Sequence, residues 1–192
     1  GLATLDGQVY TAGTLVPFTI QSVSKPYVYA LALADRGAAA IEQRVGSEPT
    51  GDPFNSIALD PVTGRASNPM VNAGAIVTSS LVGGDDREEQ FARILSGLSG
   101  FAGRPLEVDE AVYRSERDTG HRNRAIANLL RGTGAVDDDP EAVLDAYFRL
   151  CAVAVDTRDL ALIAATLAAG GRHPLTGSVA AGEDTVRDVL SV

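Results

Sequence analysis

Lysine is almost absent from this chain: of its 16 basic residues only Lys25 is not an arginine. Tryptophan is missing altogether and aromatic residues make up 5% of the chain, so any core has to be built from Ala, Leu, Val and Ile. The one cysteine, Cys151, excludes an intrachain disulfide, and its apolar neighbours point to a buried thiol. The two histidines, His121 and His173, have no metal-ligand spacing to each other or to Cys151, and no His-Glu-x-x-His occurs. No metal site is expected. Neither a glycine-rich phosphate loop nor an internal repeat is present. No apolar run approaches the ~18 residues that suggest a membrane span. The formal net charge of −9 argues against nucleic acid and anionic membranes as partners.

What is there begins with a core-forming composition: 192 residues, 45% of them hydrophobic, enough for one domain or two small ones. The stretch around which the rest is organised is Gln21-Ser-Val-Ser-Lys25, followed by an apolar run to Ala34. Arginine does not give up its proton near neutral pH, whereas a buried lysine can. Residues i and i+3 share a helix face, so Ser22 meets Lys25 and Ser24 does not. Ser22 is therefore a candidate nucleophile and Lys25 its activating base, the Ser-x-x-Lys arrangement of acyl-transfer enzymes. The competing reading is a helix cap followed by a surface lysine. Against it stands the apolar character of residues 26–34, which makes this helix central and lowers the lysine's pKa by desolvation. Gly37 is placed to end it. Pro26 disfavours helical geometry at Lys25, which leaves the helix start open.

Residues 2–5 and 8–12, joined by Asp6-Gly7, read as a β-hairpin with a type I′ turn. Val16–Ile20 either extends its second strand or leads into the Ser22 helix. The proline-rich segment 48–69 reads as a long ordered loop. Helices are expected at 71–82, 86–98, 105–113, 122–131, 139–152, 157–169 and 184–190, with Asp139-Pro140 and Asp156 or Thr157 as start signals. A lone hairpin is marginal in water. The chain also opens as if mid-strand, so the strands that complete its sheet are expected to lie outside these residues.

Several polar stretches invite two readings. Asn72 opens a small-residue inner helix and is either an N-cap or a site residue. Ser115–Asn123, with Glu116 and Asn123, is either a salt-bridged turn or a binding cluster. Tyr147 shares a helix face with Val143, Leu144 and Cys151, which makes a core tyrosine its default. Residues 170–177 read as a turn.

Taken together, the runs DGQVYTAG, PFTIQSVSKPYVYALAL, NPMVNAGAI, SERDTGHRNRAIA, LDAYFRLCAVAV and AATLAAGGRHPLTG resemble the serine-dependent glutaminases of the β-lactamase and penicillin-binding-protein superfamily. They occur in that family's order and cover almost the whole chain. The resemblance implies an α+β, multi-domain fold of the β-lactamase/transpeptidase type, mostly helical here. Residues 1–37 and 156–192 would belong to a sheet-containing part and 38–155 to a helical part. It also implies hydrolysis of L-glutamine to L-glutamate and ammonia without a cofactor, with catalytic Ser22, Lys25 and Tyr147. Gln21, Ser22, Asn72, Glu116, Asn123 and Tyr147 would contact substrate. A cytoplasmic homodimer or homotetramer is implied as well. The family's upstream Tyr-Ile-Pro and downstream Met-Tyr-Asp and Lys-Ser-Gly stretches are absent, so these residues are expected to be about the first two-thirds of such an enzyme and not fully active alone. Two alternatives are a related acyl-serine enzyme acting on another amide or a β-lactam, and a non-catalytic binding or assembly module.

Overall fold

The computed structural model describes every residue from Gly1 to Val192. Nine α-helices and five short strands follow in the order β1 (Leu2–Ala3), β2 (Val9–Tyr10), β3 (Phe18–Thr19), α1 (Lys25–Arg36), α2 (Ala38–Glu42), α3 (Asn72–Leu81), α4 (Arg87–Ala102), β4 (Glu107–Val108), α5 (Glu110–Thr119), α6 (His121–Thr133), α7 (Pro140–Cys151), β5 (Val153–Val155), α8 (Thr157–Ala168) and α9 (Glu183–Leu190). A 3-10 turn, Gln21–Ser24, joins β3 to α1. None of these helices is long and apolar enough to cross a membrane.

Helix α1 is the hub. Seven consecutive residues, Tyr27–Leu33, are buried, because Ala, Leu, Val and Tyr surround the helix on nearly every side. It packs against α3, α4 and α9 within one hydrophobic cluster that also takes in Ile76, Ile94, Leu98, Phe101, Leu144 and Phe148. Asp86, Asp109, Asp139 and Asp156 each cap a helix through a side-chain oxygen. At α8 the cap is reciprocal, and the buried Asp159 that completes it also takes a bidentate contact from Arg104 (Nε to Oδ1, 2.8 Å).

The hairpin forms, with Leu2 opposite Tyr10 and Ala3 opposite Val9, but its turn is not type I′. Gly7 has φ +87° while Asp6 does not enter positive φ, and the Gly7 N–H donates to Thr4 O. That geometry is a three-residue loop closed by a glycine bulge, which needs only one left-handed residue. The hairpin packs on α8. Val16–Ile20 does not extend it: Phe18–Thr19 joins a separate antiparallel sheet of order β3-β5-β4, with Phe18 opposite Val155, Thr19 and Glu107 opposite Ala154, and Val108 opposite Val153. The expected helix at 105–113 is corrected accordingly. Glu107–Val108 is a strand, and the helix starts at Glu110 behind the Asp109 cap and continues to Thr119. Strand β5 and helix α2 had no counterpart in the sequence reading. The 170–177 turn is more tightly built than expected, since the buried His173 ring accepts at Nδ1 from the Leu175 and Thr176 N–H groups.

Residues 46–71 form the long loop that the prolines announce. Its two ends are tied together by Gly46 N–H to Ala66 O (2.9 Å), Glu48 N–H to Ser67 O (3.1 Å) and the Asn68 amide to Glu48 O (2.8 Å). Asn68 Oδ1 accepts from the Met70 and Val71 N–H groups and sets the entry to α3. Helix α3 then lies directly on this backbone: a Cβ on Gly74 would sit 2.0 Å from Asn68 O. Gly74→Ala is expected to push the loop end off α3 and destabilise the fold by roughly 1–3 kcal/mol. Urea unfolding of the two proteins checks this, and an unchanged midpoint would contradict the close approach.

Candidate active site

The 3-10 turn separates the two serines of the Gln21–Lys25 stretch. Ser24 is fully buried, and its Oγ donates to Gln21 O at 2.6 Å, which commits it to the turn. Ser22 is exposed and its hydroxyl makes no intramolecular hydrogen bond. In a 3-10 turn residues i and i+3 stand one above the other, and Lys25 N–H donates to Ser22 O. The uncertain helix start is thereby resolved, with Ser22 in the 3-10 turn and Lys25 as the first residue of α1.

Lys25 is 3% exposed. Its Nζ donates to Asn72 Oδ1 at 2.7 Å and lies 5.1 Å from the centre of the Phe54 ring. It forms no ion pair, because every ion pair in the structure is made by an arginine. Burial therefore lowers its pKa from the ordinary lysine value, opposed only weakly by the Cys151 thiol. Asn72 is the first residue of α3, not its N-cap, and its amide passes the contact on to Asn123 Oδ1 of α6 at 3.2 Å. Lys25, Asn72 and Asn123 thus form one chain of hydrogen bonds across three helices.

Gln21 is half-buried and bridges outward: its Nε2 donates to Thr19 Oγ1 (3.1 Å) and to Glu116 Oε1 (3.3 Å). Glu116, half-buried on α5, takes no part in an ion pair; the arginines around it engage Asp118, Glu141 and Tyr113 instead. Tyr147 of α7 is 2% exposed. Burial pushes its phenol well above the ordinary range, with the neighbouring Cys151 and the Glu116 charge adding to the effect. Cys151, buried one turn further on, is pushed up to about 12 for the same leading reason. Both hydroxyl and thiol remain protonated around neutral pH.

All seven residues singled out in the sequence thus come from elements that converge on one wall: the 3-10 turn, α1, α3, α5, α6 and α7. Two neighbours were not anticipated. Phe54, in the long loop, covers Lys25, and its carbonyl accepts the Asn72 N–H at 2.8 Å. Cys151 was expected as a buried thiol on the Tyr147 face of its helix, but not within electrostatic reach of Lys25. A lone phenylalanine in a proline-rich segment was the available signal for the first. No three acidic, His or Cys side chains cluster in a way that would hold a metal ion. Chemically, the wall offers an exposed hydroxyl, a desolvated amine, three amides, one carboxylate outside any ion pair and a protonated phenol.

The glutaminase family model matches residues 1–192. The chain is 53% identical over 192 residues to Glutaminase 1 of Bradyrhizobium diazoefficiens, covering 100% of this chain and 31% of that protein. It is 52% identical to the glutaminase of Clavibacter michiganensis subsp. michiganensis, covering 100% and 59%. Among solved structures, a probable glutaminase superposes with a TM-score of 0.93 at 41% identity, over 98% of this chain and 62% of that one. The protein Mglu in its tris and glutamate form also gives 0.93, at 42% identity over 99% of this chain and 43% of that one. The chain therefore spans 31% and 59% of the length of these two curated relatives. Its mostly helical architecture with small sheets is the β-lactamase-like fold of those structures. By sequence and by fold, the chain belongs to the glutaminase family.

Proposed function

We propose that the protein hydrolyses L-glutamine to L-glutamate and ammonia through an acyl-enzyme on Ser22. The observation that carries this reading is the state of Lys25: a buried amine, bonded to a neutral amide and paired with no acid, directly following an exposed serine turn. Burial favours its neutral form, which is the form a general base requires. Ser22 Oγ adds to the side-chain amide carbon of glutamine and gives its proton to Lys25 Nζ. The C–N bond then breaks, the nitrogen takes that proton, and ammonia leaves. Water adds to the Ser22 ester with Lys25 again accepting the proton. Cleavage of the ester returns the proton to Ser22 Oγ and releases glutamate. The Ser22 N–H is the oxyanion donor supplied by this chain.

The substrate's ends match the rest of the wall. Glu116, free of any arginine, suits the α-ammonium; Asn72 and Asn123 suit the α-carboxylate; Gln21 lines the pocket. Tyr147, protonated because its pKa is raised, serves as a hydroxyl donor that orients Lys25 or relays its proton. The carboxylate favours an amino acid over a β-lactam or a simple amide, and the names of the relatives support glutamine. The same reading divides the chain into a sheet-side part (1–37 and 156–192) and a mostly helical part (38–155) whose strands β4 and β5 pair with β3 across the division, supported by the packing of the hairpin on α8 and of α9 on α1. It also takes the whole protein to be a cytoplasmic homodimer or homotetramer.

In the full-length protein, Ser22→Ala should lower glutamine-dependent ammonia release by about a thousandfold or more. Lys25→Arg should lose about a hundredfold or more at every pH, because arginine keeps its proton. Activity retained by either variant in a coupled ammonia assay would refute the mechanism. For the unmodified protein, kcat/KM should rise with pH as Lys25 loses its proton, with a midpoint below the ordinary 10.5. Stability carries the same sign. Between the lowered folded value and 10.5 the unfolded chain binds more protons, so stability climbs with pH across that window. Below it, the buried ammonium costs stability. Lys25→Met should therefore be inactive, melt higher at neutral pH and show a flatter rise in melting temperature towards pH 10.

A further inference from the structure

Ten glycines in this chain adopt positive φ, and one other residue does: Gln21, with φ +49°. Left-handed backbone is strained for a residue carrying a Cβ, and glycine is the residue that relieves it. The chain uses glycine at every other such position. Retaining glutamine at this one calls for a task that its side chain performs.

The surroundings supply that task. Strand β3 ends at the buried Ile20, whose N–H still donates to Val153 O of β5 at 2.8 Å. Ile20 has already left extended geometry for right-handed helical backbone, and Gln21, in left-handed backbone, opens the 3-10 turn. Its carbonyl is held by Ser24 Oγ. Its amide nitrogen spans Thr19 Oγ1 on β3 and Glu116 Oε1 on α5, a contact across 95 residues of sequence. One residue thus fixes the backbone immediately before Ser22 and engages one of the two oxygens of Glu116, leaving the other for a cation from outside.

We infer that Gln21 is a positioning residue acting through two neighbours: its left-handed backbone presents Ser22, and its side-chain amide aims the Glu116 carboxylate. This rests on the glutaminase reading above. It goes beyond a pocket-lining role, since the effect on substrate passes through Glu116 and the effect on chemistry through the turn.

Two substitutions separate the contributions. Gln21→Ala removes the amide but keeps the turn strained, while Gln21→Gly removes the amide and frees the backbone. In the full-length protein both should raise the KM for glutamine by about tenfold, the size of a lost hydrogen bond to a charged group. Only Gln21→Gly should also lower kcat by several-fold, while melting higher than Gln21→Ala because the strain is gone. A purely structural residue would not give that crossed pattern. A double-mutant cycle adds a second readout: in a Glu116→Gln background, Gln21→Ala should raise KM little further. If the unmodified protein releases ammonia from glutamine but both Gln21 variants match it, or if the Gln21 and Glu116 effects simply add, the inference falls and the glutaminase reading stands. If the unmodified full-length protein releases no ammonia, the glutaminase reading fails and takes this inference with it.

Discussion

A single amine held out of water with no counter-charge is the constraint on which the arrangement depends. Burying an ammonium without a partner is strongly unfavourable, and the group answers by releasing its proton more easily. No neighbour of Lys25 supplies a counter-charge, so burial decides. Asn72 offers a neutral carbonyl, Phe54 a ring face, and Tyr147 and Cys151 are held protonated by their own burial. Had any of them been a carboxylate, the pair would have restored the lysine to its charged form. Arginine at this position would stay charged whatever surrounded it. The chain's otherwise complete preference for arginine therefore fits a division of labour, in which permanent charge is used at the surface and a titratable amine is kept for the interior.

The second constraint is geometric and lies in the three-stranded sheet. Strand β3 leads into the Ser22 turn, β4 leads into α5 with Glu116, and β5 follows directly from α7 with Tyr147. Because β5 is the middle strand, its two ladders hold all three entry points in register. Val153 and Val155 anchor it in the core, so the sheet is fixed although its strands are only two or three residues long. The long loop is held against the same wall at Asn72, whose N–H bonds Phe54 O while its side chain bonds Lys25. One residue at the start of α3 thus couples loop position to the state of the amine.

How far the sequence could foresee this follows from how local each feature is. The Ser22–Lys25 relation depends on a three-residue spacing and on an apolar run beside it, and both are visible in the chain. Helix starts at Asp86, Asp139 and Asp156 were legible for the same reason, since a cap is a contact between near neighbours. Strands β4 and β5 were not. Phe18 meets Val155 and Glu107 meets Ala154, and nothing in two or three residues announces a partner so distant in sequence. The expected helix over 105–113 failed because Glu107 and Val108 carry no strong signal of their own and the sheet decided for them. The convergence of Asn72, Glu116, Asn123 and Tyr147 came from resemblance. Taken singly, each had an ordinary structural explanation, and Asn72 became separable from an N-cap only when the helix start fell on it. The left-handed backbone at Gln21 was invisible because glutamine gives no hint of it.

The charges that remain unpaired point in the same direction as the amine. Arginines form every ion pair, from Asp35 with Arg93 to Asp159 with Arg104, and none of them includes Glu116. A half-buried carboxylate left with an amide as its side-chain partner, in a chain with fifteen arginines, is available to a cation that the chain does not supply. Across the same wall, the Asn72–Asn123 link can be broken to offer amide donors, as an anion would require. The Ser22 hydroxyl is exposed and has no intramolecular hydrogen bond. A ligand that satisfies all three must carry a cation and an anion close together and an electrophilic carbon further along. The proposed substrate, an α-amino acid with an amide side chain, fits that description, whereas a neutral amide or a β-lactam would leave Glu116 unanswered. Specificity on this account follows from what the fold declines to pair internally.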